Sequence, residues 1–280
     1  MKVKMKTTTG PEFEILTVTP KKAAEMLANN THNRSVNVRA VERLVATIVA
    51  NEWQFNAQPI QVAQDGTLLD GQHRLLACVR ANIPIEALVV WNAQVASQET
   101  MDMGKSRSVA DILRLRGYKN QSVVAALGRR IAVGQAFGLR YGITNTFREV
   151  SPGAVLRAAE KVEDLSRYTV HAKAIADLLN FNSGITGYLM WWLDSIDRAD
   201  SDFFWDKLRN GDGLSEGEPI YALRQFGLTR DTFGRGTYSH NVQTAGVVLK
   251  AWNKFREGEP VMRLTFRVGG SRPEELPEPV

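Results

Sequence analysis

The stretch Leu68-Leu69-Asp70-Gly71-Gln72-His73-Arg74-Leu75-Leu76-Ala77 decides how the first third of this chain folds. Before it, Pro59-Ile60-Gln61-Val62-Ala63 is a short β-type run, and Gln64-Asp65-Gly66-Thr67 reads as a tight turn. Past Asp70 the apolar period changes: Leu75, Leu76, Val79 and Ile83 share one face of a helix that Pro84 closes. Gly71 to Arg74 therefore fall on the first helical turn after a hairpin, where backbone N–H groups lack intrahelical partners and the helix dipole favours an anion. Gly71 lets a ligand approach the backbone, His73 and Arg74 add donors, and Gln72 can donate or accept. The pattern suits a phosphate cradle, set against the commoner case of a turn whose polar residues are simply solvated. Asp70 could hold a magnesium ion or orient a water, although its more ordinary role is to cap the helix.

Working outward, Phe13 to Val18 alternates as a strand, and Thr19-Pro20 opens a helix carrying Ala23, Ala24, Met26 and Leu27. Asn29 to Ser35 is polar and turn-prone, hence a loop. Asn37 is placed to cap a helix whose buried face is Val38, Val41, Leu44, Val45, Ile48 and Val49. Ile85 to Trp91 is apolar and β-branched enough for a buried strand. If the Asn33-Arg34 loop folds over the helix at Gly71, it gathers His32, Asn33, Arg34, Gln72, His73 and Arg74 into a donor-rich pocket suited to a triphosphate.

From Gln121 onward the pattern is mostly helical, with Trp191-Trp192, Phe203-Phe204-Trp205 and Trp252 giving an aromatic-rich back half. Such aromatics usually form core, with base stacking the less common use. The tail from Arg272 to Pro279 alternates proline and glutamate and is expected to be disordered.

The 280 residues are 44% hydrophobic and 23% charged, the composition of a globular chain, with no stretch apolar enough to span a membrane. Residues 1–6 are basic but lack a signal peptide's apolar core, and the single Cys78 excludes an internal disulfide, so a cytoplasmic location is expected. Net charge is +5, unevenly spread. Between Lys105 and Arg148 stand Lys105, Arg107, Arg114, Arg116, Lys119, Arg129, Arg130, Arg140 and Arg148, against Asp111 alone. That excess either faces a polyanion or is a solvated surface balanced by acids such as Asp194, Asp197, Asp200, Asp202 and Asp206.

Several chemistries are excluded. Gly104-Lys105-Ser106 looks like the end of a P-loop, but Glu99 stands where that motif needs glycine. Four His and one Cys are too scattered for a zinc site. Neither a Gly-x-Ser-x-Gly elbow nor a dinucleotide glycine fingerprint is present.

On these residues the chain resembles a known superfamily. The Asn33-Arg34 loop, a helix ending near Glu52-Trp53, Gln58 to Val62, Leu69 to Ala77 and Ile83-Pro84 before a strand are similar, over residues 13–91, to the ParB/sulfiredoxin domain. ParB proteins carry Gly-x-x-Arg-x-x-Ala here, matched by Gly71, Arg74 and Ala77, and that segment holds CTP phosphates in partition proteins and ATP in sulfiredoxin. The family's acidic residue after the glycine is Gln72 in this chain, and sulfiredoxin's catalytic cysteine is missing there, so sulfinic acid repair is not expected. The Asp-Gly-Gln-His-Arg string is similar to ParB-like proteins associated with DNA phosphorothioation and deazaguanine modification. Asp102, Gly104, Lys105, Arg107, Asp111 and the Ala251-Trp252-Asn253 segment resemble a bacteriophage group of ParB-like proteins. No helix-turn-helix of the partition type follows residue 115.

The combined expectation is an α+β chain: a ParB/sulfiredoxin-like nucleotide-binding domain over 13–115, an α-helical domain over 116–268 and a disordered tail over 269–280. The resemblance implies a DNA-associated protein that binds, and as an open question slowly hydrolyses, ATP or CTP with Mg2+. Asn33, Arg34, Gly71, Gln72, His73, Arg74, Lys105 and Arg107 are the nucleotide-binding candidates, and Asp70, Gln72 and His73 the catalytic ones. Arg114, Arg116, Lys119, Arg129 and Arg130 are the candidate DNA contacts, and a homodimer is a further candidate assembly. Two alternatives stay open. One is a metal-dependent nuclease or nucleotide-dependent DNA-modification enzyme using Asp70, Asp102 or Asp111; the other is a non-enzymatic regulator that binds a host protein.

Overall fold

In the computed structural model, the described residues are 10–31, 33, 35–95, 108–144, 148–165, 167–229 and 236–280. They form two compact units, one of residues up to Arg107 together with Glu149–Gly153, the other of Ser108–Arg148 and Ala154–Val280. The class is α+β, as expected, and among the described residues the strands form one four-stranded mixed sheet.

In the first unit, strand β1 (Glu12–Val18) leads into helix α1 (Pro20–Leu27), where Thr19 caps the Lys22 amide and Pro20 pre-sets the first turn. Helix α2 (Val38–Val49) starts where Asn37 Oδ1 accepts from Ala40 N at 3.1 Å. Strands β2 (Ile60–Ala63) and β3 (Leu68–Asp70) make the expected hairpin, helix α3 (Gln72–Ala81) follows, and β4 (Ile85–Ala93) closes the unit. The sheet order is β1-β4-β2-β3, with β4 antiparallel to β1 and parallel to β2. One core joins Val18, Val41, Ile48, Ile60, Leu68, Leu75, Cys78, Ile85 and Val89, so all three helices share it with one face of the sheet. Trp53 extends that core and donates its indole N–H to Glu86 O at 3.0 Å. Gly153 rejoins this unit from far along the chain, packed so closely on Glu52 that a Cβ would lie 2.3 Å from the carboxylate.

The second unit is helical: α4 (Val109–Leu115), α5 (Gln121–Phe137), α6 (Tyr141–Thr144), α7 (Pro152–Glu160, its first two residues in the first unit), a π-helical turn over Arg167–His171, α8 (Ala172–Leu178), α9 (Ser183–Asp194), α10 (Arg198–Asn210), α11 (Pro219–Thr229) and α12 (Tyr238–Glu257). Its core holds Tyr188, Trp192, Phe204, Trp205 and Trp252, and Phe204 meets both Trp205 and Trp252 edge-on at 5.1 and 5.5 Å. Most of the aromatic back half is therefore packing.

Two boundaries differ from the sequence reading. Helix α4 belongs with the second unit instead of closing the first, because Leu113 is buried with Val124, Leu156 and Ala159. The tail expected to be disordered is instead docked on the helices. Leu276 is buried, Trp252 Nε1 donates to Val280 O at 2.8 Å, and Asn253 Nδ2 donates to Glu278 O at 2.8 Å. Arg140 pairs with Glu275 and Glu278. The composition misled because one leucine, an indole N–H needing an acceptor and prolines that lower unfolded-chain entropy suffice to hold a short segment. Among the described residues no helix is long and apolar enough to cross a membrane.

Candidate functional site

The corner between β3 and α3 is built around Gly71. Its φ of 104° is left-handed, and a Cβ there would meet Ile60 Cγ1 at 2.9 Å, so backbone conformation and space both require glycine. Gly71 itself is the N-cap of α3 and offers the first turn no side-chain acceptor. The expected capping by Asp70 is therefore corrected: Asp70 sits one residue early, accepting from Gly71 N at 2.6 Å through Oδ1 and from Arg74 Nη2 at 3.0 Å through Oδ2.

Over this corner lies the asparagine-rich loop between α1 and α2. Leu68 N donates to Asn29 O at 3.1 Å, and Asn33 Nδ2 donates to Leu68 O at 2.7 Å and to Asn30 Oδ1 at 2.6 Å. Asn30 Nδ2 in turn donates to the buried Gln72 Oε1 at 3.2 Å. Asn37 N donates to His73 Nε2 at 3.0 Å, so that nitrogen carries no proton while the bond is made. The loop thus joins the N-terminal ends of α2 and α3, and Asn33, Gln72, His73 and Gly71 come together. His32, Arg34, Asp102, Lys105 and Arg107 lie outside the described residues.

Arg74 has a different part from the one the sequence suggests. Its guanidinium donates to Gln58 O, to Pro59 O at 2.8 Å and to Asp70, and its side chain is only 12% exposed. It ties the start of β2 to α3 and shapes the corner from beneath. Of the carboxylates considered as metal ligands, Asp70 is thus paired with Arg74. Asp111 closes a capping box with Ser108 and pairs with Arg114 at 2.9 Å. Among the described residues no His/Cys/Asp/Glu group is arranged to hold a metal ion.

The basic window also divides. Arg114, Arg116 and Lys119 are exposed around the end of α4, Arg114 paired with Asp111 and Arg116 with Glu160. Surface pairs of this kind contribute little and exchange readily for another anion. Arg129 reaches the Arg148 carbonyl at 3.3 Å, and Arg148 lies over the Tyr141 ring at 3.6 Å. Arg130 is a correction: it turns inward to donate to Gly142 O at 2.7 Å, and burial lowers its pKa to about 10. It supports the α5–α6 corner and is not placed for a phosphate backbone.

Two features had no sequence signal. Arg167, on the π-helical turn, forms a two-pronged pair with Asp194 at 2.7 and 2.8 Å and also meets Asp202, while Tyr168 OH donates to Asp194 at 2.6 Å. Burial opposes the charge on Asp194, but the bonds from Arg167 and Tyr168 outweigh it and hold the carboxyl below its ordinary value. Burial raises Tyr168, and its bond to Asp194 raises it further. Gly187 lets α9 pass this turn, since a Cβ there would stand 2.1 Å from Tyr168 O. The second feature is a groove of about 540 Å³ between the ends of α10, α11 and α12, lined by Phe203, Lys207, Glu218, Ile220, Lys254 and Phe255. Phe203 and Phe255 stack at 5.8 Å, and half-exposed Phe203 departs from the core role expected of the aromatics. The partners in both clusters are too far apart in sequence for any local pattern to connect them.

Neither a protein-family model, nor a curated protein, nor a solved structure matches this chain.

Proposed function

We propose that the chain is a ParB-like, DNA-associated protein that binds a nucleoside triphosphate at the β3–α3 corner. The observation that carries this reading is the asparagine loop bonded onto the glycine turn, which sets Asn33, Gly71 and His73 beside a helix N-terminus. A helix start presents backbone N–H groups and the positive end of a dipole, and glycine lets phosphate oxygens come close. Both hydrogens of the Asn33 amide are given to Leu68 O and Asn30 Oδ1, so Asn33 fixes the loop over the turn and the proposed phosphate donors are backbone N–H groups of the helix start. Arg34, Lys105 and Arg107 are the proposed sources of countercharge.

Arg74 is a positioning residue in this reading, holding the corner's shape through Gln58, Pro59 and Asp70. A triphosphate is normally handled as its magnesium complex. The described carboxylates do not fit a protein-held magnesium ion, because Asp70 and Asp111 already serve basic partners. The proposal is therefore for binding of ATP or CTP, with no step assigned to a protein-bound metal.

DNA association would rest on Arg114, Arg116, Lys119 and Arg129, whose contacts are to the phosphate backbone and so insensitive to sequence. Calorimetric titration of ATP, CTP, GTP and UTP with Mg2+ tests the first claim. Saturable binding of one nucleotide is expected, and no heat from any of them at millimolar concentration would overturn it. Affinity for duplex DNA measured against salt tests the second. Lys119→Glu should weaken binding and flatten the salt slope, while equal slopes for both proteins would contradict that surface.

A further inference from the structure

The sheet has two edges, and they are treated in opposite ways. At one end β3 is three residues long, and the asparagine loop takes up both backbone groups of Leu68. At the other end β1 runs for seven residues in unbroken register with β4, without a bulge or proline, and β4 is its one strand neighbour among the described residues. Proteins normally blunt or cover a strand edge of that length, because its outward backbone groups form a template for another strand.

The side chains point the same way. Leu16 and Val18 face the helices and join the core, so Phe13 and Ile15, alternating with them, lie on the opposite face. They are 62% and 58% exposed, which puts two apolar side chains at the surface on the edge strand itself, while their cross-strand partners Val90 and Leu88 are buried and half-buried.

Charge selects the occupant. Helix α1 opens Pro20-Lys21-Lys22 with no acid in its first turn, two cations at the positive end of a helix dipole. Lys22 has Glu25 at 3.6 Å in an exposed pair. The start of β1 carries Glu12 and Glu14 at the far end of the same strand, about 20 Å from those lysines at the usual rise per residue. An antiparallel second copy brings the two ends together.

We infer that β1 is a self-pairing edge: two copies join β1 to β1 about a two-fold axis centred on Ile15, making one continuous eight-stranded sheet from two four-stranded ones. A two-fold perpendicular to the sheet pairs residues that face the same side, which this centring satisfies. Ile15 then lies opposite its own copy, Phe13 opposite the partner's Thr17, and Glu12 opposite the partner's Val18, next to the start of the partner's α1. Cross-strand apolar pairs and a carboxylate at a lysine-bearing helix start favour that register over a parallel one. This inference rests on the sheet alone and is independent of nucleotide binding.

Sedimentation equilibrium of the full chain tests it. The wild type should show a monomer–dimer equilibrium, and Ile15→Lys should raise the dissociation constant by about tenfold or more, while the two thermal melts coincide at dilutions where both are monomeric, because the side chain is exposed. At low salt, Glu12→Lys should weaken the dimer, and adding Lys21→Glu and Lys22→Glu to it should restore the wild-type constant. A chain that stays monomeric up to about 1 mM overturns the inference, and a nucleus for some other strand becomes the use of this edge. Equal self-association of wild type and Ile15→Lys overturns it too, and failure of the charge swap to restore pairing contradicts the register.

Discussion

Two arginines organise the two units, and they do so by different physics. In the first unit Arg74 reaches backbone carbonyls and one partly exposed carboxylate, that of Asp70 at the end of β3, four residues earlier in the chain. In the second, Arg167 meets Asp194 and Asp202 from a π-helical turn, with Arg167 10% and Asp194 6% exposed. The first arrangement underlies a corner of amides and imidazole in which Gln72 is buried and Asn33 and His73 are half-buried. The second is closed, with a tyrosine hydroxyl completing the carboxylate's bonds. One arginine shapes the corner proposed to receive a ligand; the other locks helices together.

The contrast can be broken most severely at Asp194. Asp194→Ala leaves Arg167 largely buried without its two-pronged partner, and removing one member of such a pair costs about 3–5 kcal/mol. Urea denaturation should show that loss. A change under about 1 kcal/mol would mean that water or Asp202 replaces the carboxylate.

At the other corner Gly71→Ala should cost about 1–3 kcal/mol by the same assay, since it combines a left-handed backbone with contact to Ile60. Arg74→Lys should cost a similar amount, about 1–3 kcal/mol, because lysine keeps the charge but cannot fork to Gln58, Pro59 and Asp70. If Arg74→Lys is silent, the guanidinium is not what holds β2 to α3.

Acid sharpens the comparison further. Asp194 is held below its ordinary value in the folded chain, so its contribution is complete above the unfolded carboxylate range near pH ~4 and fades as pH falls through the folded value. Asp194→Asn should therefore be less stable at neutral pH and show a flatter acid limb. Parallel acid limbs for the two proteins would contradict this. The smallest effect is Tyr168→Phe, about 1 kcal/mol, from a single bond to Asp194. It should disappear in the Asp194→Ala background.

The same contrast explains what the sequence made readable. Gly71, Pro20 and Asn37 act within one turn of where they stand, and each marks its element in the amino-acid order. The loop over the corner was also legible, since Asn29 to Ser35 could only be a connection and lies between two helical patterns. Arg74 was half legible: its helical position was right, but the carbonyls of Gln58 and Pro59 that claim it carry no side-chain signal. Arg130 failed for the same reason, a buried carbonyl at Gly142. Arg167 with Asp194, 27 residues apart, and the groove at Phe203 and Phe255 depend on how helices meet, which no local period records.

The central claim is that the β3–α3 corner receives phosphate. Amide chemical shifts on an isotope-labelled chain, followed while the tightest-binding nucleotide is added with Mg2+, test it without altering a residue. The account predicts saturable movement of the Gln72, His73 and Arg74 amides and of the Asn33 side-chain amide, reproduced by inorganic tripolyphosphate. Saturable binding that leaves those signals in place and moves others instead, such as those around Phe203 and Phe255, would contradict it.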